Sequence, residues 1–245
     1  MTRWALTGAL VVLWEVGGRL TIDDARTALL VPLPSAVVAT AWALTRDGSL
    51  VADIARSLYR VLAGGAAAVL VGVPIGALIA TSPRIGAALD APMRVLRPVP
   101  PVAWVPLTLL WFGVTELQQL AILFFAAVFV VIAGTSRAVA GVPARLLTAA
   151  RNLGAGEATV ALRVAVPAGL PGVAAAVREG VGTAWFVLVA AEFLSASEGL
   201  GVLILEGRDL LEPARAFVGM AALGACAALT DAALGAAFTR GTRWA

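Results

Sequence analysis

Histidine and lysine are absent from this chain of 245 residues, and cysteine occurs once, at Cys226. Each absence removes a class of chemistry. Without histidine, and with a single thiol, tetrahedral zinc sites, haem ligation and Ser-His or Cys-His nucleophile pairs are excluded. A phosphate-binding P-loop needs a lysine on the β/γ-phosphates, so the chain itself cannot hydrolyse ATP by that route. Cys226 lies in an apolar run and reads as a buried, inert thiol. Charge is scarce as well, at 13% of residues, against about 25% in soluble domains. All 18 basic residues are arginine, and a net charge of +3 is no nucleic-acid footprint.

Apolar residues are what the chain has in excess, 60% of it, where soluble domains have roughly 45–50%. The sequence therefore reads as an all-α polytopic membrane protein, one domain over 1–245, with about six transmembrane helices. Val61–Ala80 and Leu117–Ser136 are two uncharged runs of twenty residues each. Pro98–Thr115 is uncharged but carries Pro98, Pro100, Pro101 and Pro106, which predicts an entry kink and then a short helix. Pro171–Leu194 spans if Arg178 and Glu179 are tolerated, and Ala214–Phe238 spans if Arg215 and Asp231 lie near its ends. Trp4–Leu20 is followed by no small-x-small cleavage site and reads as a retained first helix.

Arginine counts choose the orientation. One alternating set of loops carries eleven (Arg3, Arg84, Arg94, Arg97, Arg137, Arg145, Arg151, Arg163, Arg178, Arg240, Arg243) and the other seven (Arg19, Arg26, Arg46, Arg56, Arg60, Arg208, Arg215). The second set's first loop also holds Asp23, Asp24, Asp47 and Asp53. The positive-inside rule then places both termini in the cytoplasm. In the outer loop Thr21–Arg56, Pro34-Ser35 reads as a cap before an amphipathic helix of Val37, Val38, Trp42 and Leu44. The inner loop 137–170 is helical by composition and punctuated by Gly154, Gly156 and Pro167, and a structured loop of that length contacts something.

Within that loop, residues 148–167 read TAARNLGAGEATVALRVAVP. This resembles the cytoplasmic signature of ABC importer permeases: a Glu-Ala-Ala triplet, three residues, glycine, nine residues, then Ile-x-Leu-Pro. Ala149 and Ala150 hold the alanine positions, Gly154 the glycine, Val164 and Val166 the aliphatic positions and Pro167 the proline. Thr148 departs from the acidic residue usual there, so the anchoring role of that carboxylate does not carry over. RPVPPVAWVPLTLLWFGV (Arg97–Val114), AEFLSASEGLGVLI (Ala191–Ile204), Leu33-Pro34-Ser35 and Ser57-Leu58-Tyr59-Arg60 are similar to the nitrate, sulfonate and taurine branch.

The resemblance implies a type I importer permease fold, with a first helix and outer loop (1–56) wrapping a five-helix core (57–245) in a bacterial plasma membrane. It implies a homodimer, two cytoplasmic ATPase subunits that bind ATP and Mg, an external substrate-binding protein, and a small anionic solute such as nitrate, a sulfonate or taurine. The chain itself would carry no cofactor and catalyse nothing. Energy would enter through a coupling segment of Ala149, Ala150, Gly154, Ala155, Gly156, Glu157, Val160, Leu162 and Pro167. Physically, Gly154-Ala155-Gly156 permits a turn with positive φ, and Glu157 suits a helix N-terminus. Val160 and Leu162, among small alanines, suit a shallow partner cleft.

Three charges admit two readings each. Arg178 and Glu179 either snorkel or pair with Asp90 or Asp231, or they line the pathway. Glu192 either shapes an outer gate or docking surface or is a solvated interface group. Gly72 and Gly76 fit tight helix packing rather than a dimer seam. Trp104, Trp111 and Phe112 fit belt or core positions more readily than substrate contact. An ion-driven secondary transporter and a membrane scaffold are the alternatives to an importer subunit. The first would need carboxylates or a broken helix at mid-depth, and the charges cluster toward span ends instead.

Overall fold

The computed structural model describes residues 2–21 and 31–241. Asp23, Asp24, Arg26 and Arg243 lie outside the described residues, as do the side chains of Arg3, Asp90 and Arg240. The described elements are all helical: α1 (Thr2–Thr21), α2 (Pro34–Arg46), α3 (Ser49–Thr81), α4 (Pro83–Leu96), a 3-10 turn (Pro101–Trp104), α5 (Val105–Phe112), α6 (Glu116–Ala140), α7 (Ala144–Asn152), α8 (Glu157–Val160), a π-helical turn (Ala161–Ala165), α9 (Val166–Ser195), α10 (Leu200–Asp209) and α11 (Pro213–Gly241).

Among the described residues four helical runs are long and apolar enough to cross a bilayer: α3, α6, residues 157–194, and α11 up to Thr239. α4 and Pro101–Phe112 are together long and apolar enough for a fifth, but are bent by 91° at the proline cluster, the geometry of a broken span or a re-entrant loop. The expected short helix after the kink is α5, preceded by the 3-10 turn. Residues 83–96, expected as loop, form α4: Ser82 takes the N-cap conformation and Pro83 occupies the first turn, where a missing N–H costs nothing. The sixth expected segment, α1, is helical but is not among the runs apolar enough to cross; Glu15 and Arg19 interrupt it.

Contacts divide the chain into two units, residues 1–58 with 192–226, and residues 59–191 with 227–245. In the first, Trp14 of α1 meets Phe217 with ring centroids 5.5 Å apart. Glu15 holds Arg19 at 2.6 Å and accepts from the Ser35 N–H and hydroxyl, both at 3.0 Å. Ser35 is thus not the cap of α2, a position that falls to Leu33; a carboxylate from α1 fills the role at the positive helix end. Val38 and Trp42, one turn apart, are exposed while Leu44 is buried, as an amphipathic surface helix requires.

In the second unit α6 is packed by small residues of both α3 and α9. A Cβ on Gly72 would lie 2.9 Å from Val131 Cγ1, and one on Gly76 would lie 2.6 Å from the Ile132 carbonyl oxygen. From α9, Gly180 meets Val131 and Ala127, Gly172 meets Ala138, and Ala176 sits against Gly134. Gly72 and Gly76 are therefore packing glycines, their close approach providing the dispersion contacts that hold helices together in lipid. Two apolar clusters complete this unit: Val105, Ile122, Ala126, Val187 and Ala191, and separately Val139, Ala165, Val173 and Val177. Trp104, half-buried, stacks on Phe125 at 4.7 Å, whereas Trp111 is exposed. Arg60, 3% exposed, makes a two-pronged ion pair with Glu116 at 2.9 and 3.1 Å, tying α3 to the start of α6.

Candidate functional site

The segment between α6 and α9 is built by its backbone. α7 ends in a Schellman arrangement: the Ala155 N–H donates to the Ala150 carbonyl at 3.1 Å and the Gly154 N–H to the Arg151 carbonyl at 2.9 Å. This needs a residue with positive φ, and Gly154 supplies it at +84°. Gly156 then takes the extended N-cap conformation, and α8 starts at Glu157. Across the turn Arg151 clasps Glu157 with bonds of 2.8 and 3.0 Å. Ala149 and Ala150 provide the last carbonyls of α7, and Pro167 sits in the first turn of α9.

The sequence suits the short helix of Val160 and Leu162 to a shallow partner cleft. They separate: Val160 is 3% exposed and Leu162 is 71% exposed. Positions two apart on a helix point in widely different directions, so only one of them can face outward. Val160 instead lines a small cavity with Ala80, Val139 and Leu147. The residue that joins Leu162 outside is Leu153, 89% exposed, which sequence reasoning missed. The signal was available, since Leu153 directly precedes the glycine of a helix C-terminus, where the chain leaves the helix.

A second constellation lies around α10, in the first unit. Gly199, with φ +134°, enters that helix, and the three N–H groups of residues 199–201 each find a side-chain acceptor. Asp53 Oδ1 accepts from Gly199 N at 2.8 Å, Ser57 Oγ from Leu200 N at 2.9 Å, and a Glu192 carboxylate oxygen from Gly201 N at 2.6 Å. The Ser57 hydroxyl in turn donates to Glu192 at 2.7 Å. Glu192 is 0% exposed, so it is neither a solvated group nor a surface for docking. It is a buried carboxylate held at the positive end of a helix dipole.

Arg178 pairs with Asp231 through bonds of 2.8 and 2.6 Å, one of the two partners expected. Because α9 begins at Val166 and Pro171 falls inside it, Arg178 sits about 18 Å from the helix start rather than near an end. Glu179, beside it, is exposed. Among the described residues no three His, Cys, Asp or Glu side chains gather as a metal site.

The profile of the "Binding-protein-dependent transport system inner membrane component" family matches residues 72–239, which take in the Gly154 turn, the α9 charges and Glu192. The chain belongs to this family. As its membrane component, this permease is a multi-pass, non-catalytic subunit of an ABC transporter, and ATP is bound by a separate ATPase partner. A putative ABC transporter permease of Methanocaldococcus jannaschii is 35% identical over 84% of this chain and 78% of its own length. The taurine transport system permease protein of Escherichia coli is 32% identical over 99% of this chain and 92% of its own. In structure the permease resembles a chain of the inward-facing MetNI methionine ABC transporter, with a TM-score of 0.65 at 20% identity, over 79% of this chain and 94% of that one.

Proposed function

We propose that this permease is one half of the pathway of an ATP-driven importer of a small anion, a sulfonate, taurine or nitrate, delivered by an external binding protein. Two copies assemble with two ATPase subunits, and the segment from Ala149 to Pro167 receives the ATPase stroke. The observation that carries this reading is the exposed pair Leu153 and Leu162 flanking the Gly154 turn. Leu153 lies before the apolar run that starts at residue 157 and Leu162 in its first turns, so large leucines flank a capped, structured turn at a span end, apolar surface that fits a protein partner. The similarity to a taurine permease over 99% of this chain supports the sulfonate class. The arginine distribution supports a cytoplasmic C-terminus with the coupling segment on the same side, and a cytoplasmic N-terminus with α1 as a sixth crossing. Alternating access then follows as rigid-body motion of helices driven from that contact.

The test separates contact from fold. Gly154→Arg places a long charged side chain at a positive φ, a conformation that costs a non-glycine residue about 1–2 kcal/mol, in space where nothing lies within 4 Å. Leu153→Asp with Leu162→Asp removes the apolar pair while leaving buried Val160 in place. Both variants are expected in the membrane at wild-type level, with ATP hydrolysis of the reconstituted complex no longer stimulated by loaded binding protein. Unchanged stimulated hydrolysis and uptake in both would overturn the coupling assignment.

A further inference from the structure

A cavity of about 550 Å³ lies in the second unit where α3, α4 and α6 meet, a volume typical of ligand sites. Arg94, Arg97 and Arg137 line it, together with apolar walls that include Leu89, Phe129 and Ile132. Among the described residues no carboxylate lines it. Arg94 and Arg97 are three apart, so α4 and the turn after it present both on one side. Arg137 Nε donates to the Ala133 carbonyl at 3.3 Å, which lays its side chain along α6 against the cavity wall. The coupling segment accounts for none of these residues.

The guanidiniums of Arg97 and Arg137 over hydrocarbon walls match an amphiphile with an anionic head. Arginine's planar fork takes two phosphate oxygens at once, which a lysine cannot do. A small free oxyanion would use the guanidiniums but gain nothing from Leu89, Phe129 and Ile132, whereas an acyl chain would fill them. The same arginines belong to the set that the charge distribution assigns to the cytoplasmic side, where the leaflet is rich in anionic lipid and where basic pockets between spanning helices take such headgroups. We propose that this cavity binds an anionic phospholipid, its phosphate on Arg97 and Arg137 and its upper acyl carbons on the apolar wall.

The experiment exposes the full-length chain in neutral detergent to equal amounts of phosphatidylglycerol and phosphatidylcholine with identical acyl chains, and counts retained lipid by intact mass spectrometry. Wild type is expected to favour phosphatidylglycerol. Arg97→Gln and Arg137→Gln should each lower that preference by about five-fold. Arg145→Gln, exposed on α7 and outside the cavity lining, should leave it unchanged. Ala133→Phe fills the cavity with every charge retained, and should reduce retention of phosphatidylglycerol itself. An undiminished preference in the Arg97→Gln/Arg137→Gln double variant overturns the proposal. So does displacement of the lipid by millimolar ethanesulfonate or phosphate, which would mark a site for a small oxyanion. Transport is not the readout, so failure here leaves the importer reading intact.

Discussion

Glu192 is where a single side chain decides most. Both of its carboxylate oxygens are committed, to the Ser57 hydroxyl and to the Gly201 N–H, and it is fully buried. Glu192→Gln keeps the shape but turns an amide NH₂ toward one of these donors, so one bond is lost and the other is no longer charge-assisted. The expected cost is roughly 1–3 kcal/mol, read as a lower unfolding temperature of the purified permease. Ser57→Ala removes the hydroxyl shared by Leu200 N and Glu192, and the two substitutions together should cost less than the sum of the singles, because they share one network. Strict additivity would mean that the two residues act separately. The sequence offered Glu192 as a gate, a docking group or a solvated carboxylate, and the structure makes it a helix cap. No reading of local pattern finds Ser57 as its partner, since 135 residues separate them and only the tertiary fold brings α3 to α9. Gly154 is the contrary case: its place in the turn is local, set by the turn chemistry of the six residues 150–155, and so it is legible in the sequence.

At the scale of helices, the sequence made the long apolar runs plain, because burial in lipid demands them along the whole span. It was blind where two signals compete. Residues 83–96 hold two prolines and two arginines that read as loop, yet a Ser-Pro start and an apolar stripe make them α4. Composition suits both Val160 and Leu162 to a partner cleft, but residues two apart on a helix point in different directions and only Leu162 is exposed. The small-residue seams give a sharper expectation. A methyl on Gly76 would press on the Ile132 carbonyl oxygen and on Thr135 of α6, and backbone cannot yield as a flexible side-chain tip can. Gly76→Ala should therefore destabilise by about 1–3 kcal/mol. Gly182→Ala on α9, where a Cβ meets nothing within 4 Å, should be neutral or mildly stabilising. Detergent-denaturation midpoints compare the two directly, and equal midpoints would mean that α3 does not approach α6 as closely as the glycines allow.

For the whole molecule, the open quantity is which way the helices run through the bilayer. Eleven arginines on one set of loops against seven on the other favour an inward-facing coupling segment. The bent pair of α4 and Pro101–Phe112 has to count as one span for the α2–α3 junction and the α6–α7 junction to fall on opposite sides. If that pair were re-entrant, entering and leaving by the same face, the parity would change and both junctions would share a side. Asp47 and Ala144 report on the two junctions, and both are exposed. With Cys226→Ala as background, Asp47→Cys should react with a membrane-impermeant maleimide in intact cells. Ala144→Cys should react only once the membrane is permeabilised. Labelling of both positions from outside would show that α4 and Pro101–Phe112 do not cross, and would put the coupling segment on the wrong face of the membrane to meet an ATPase.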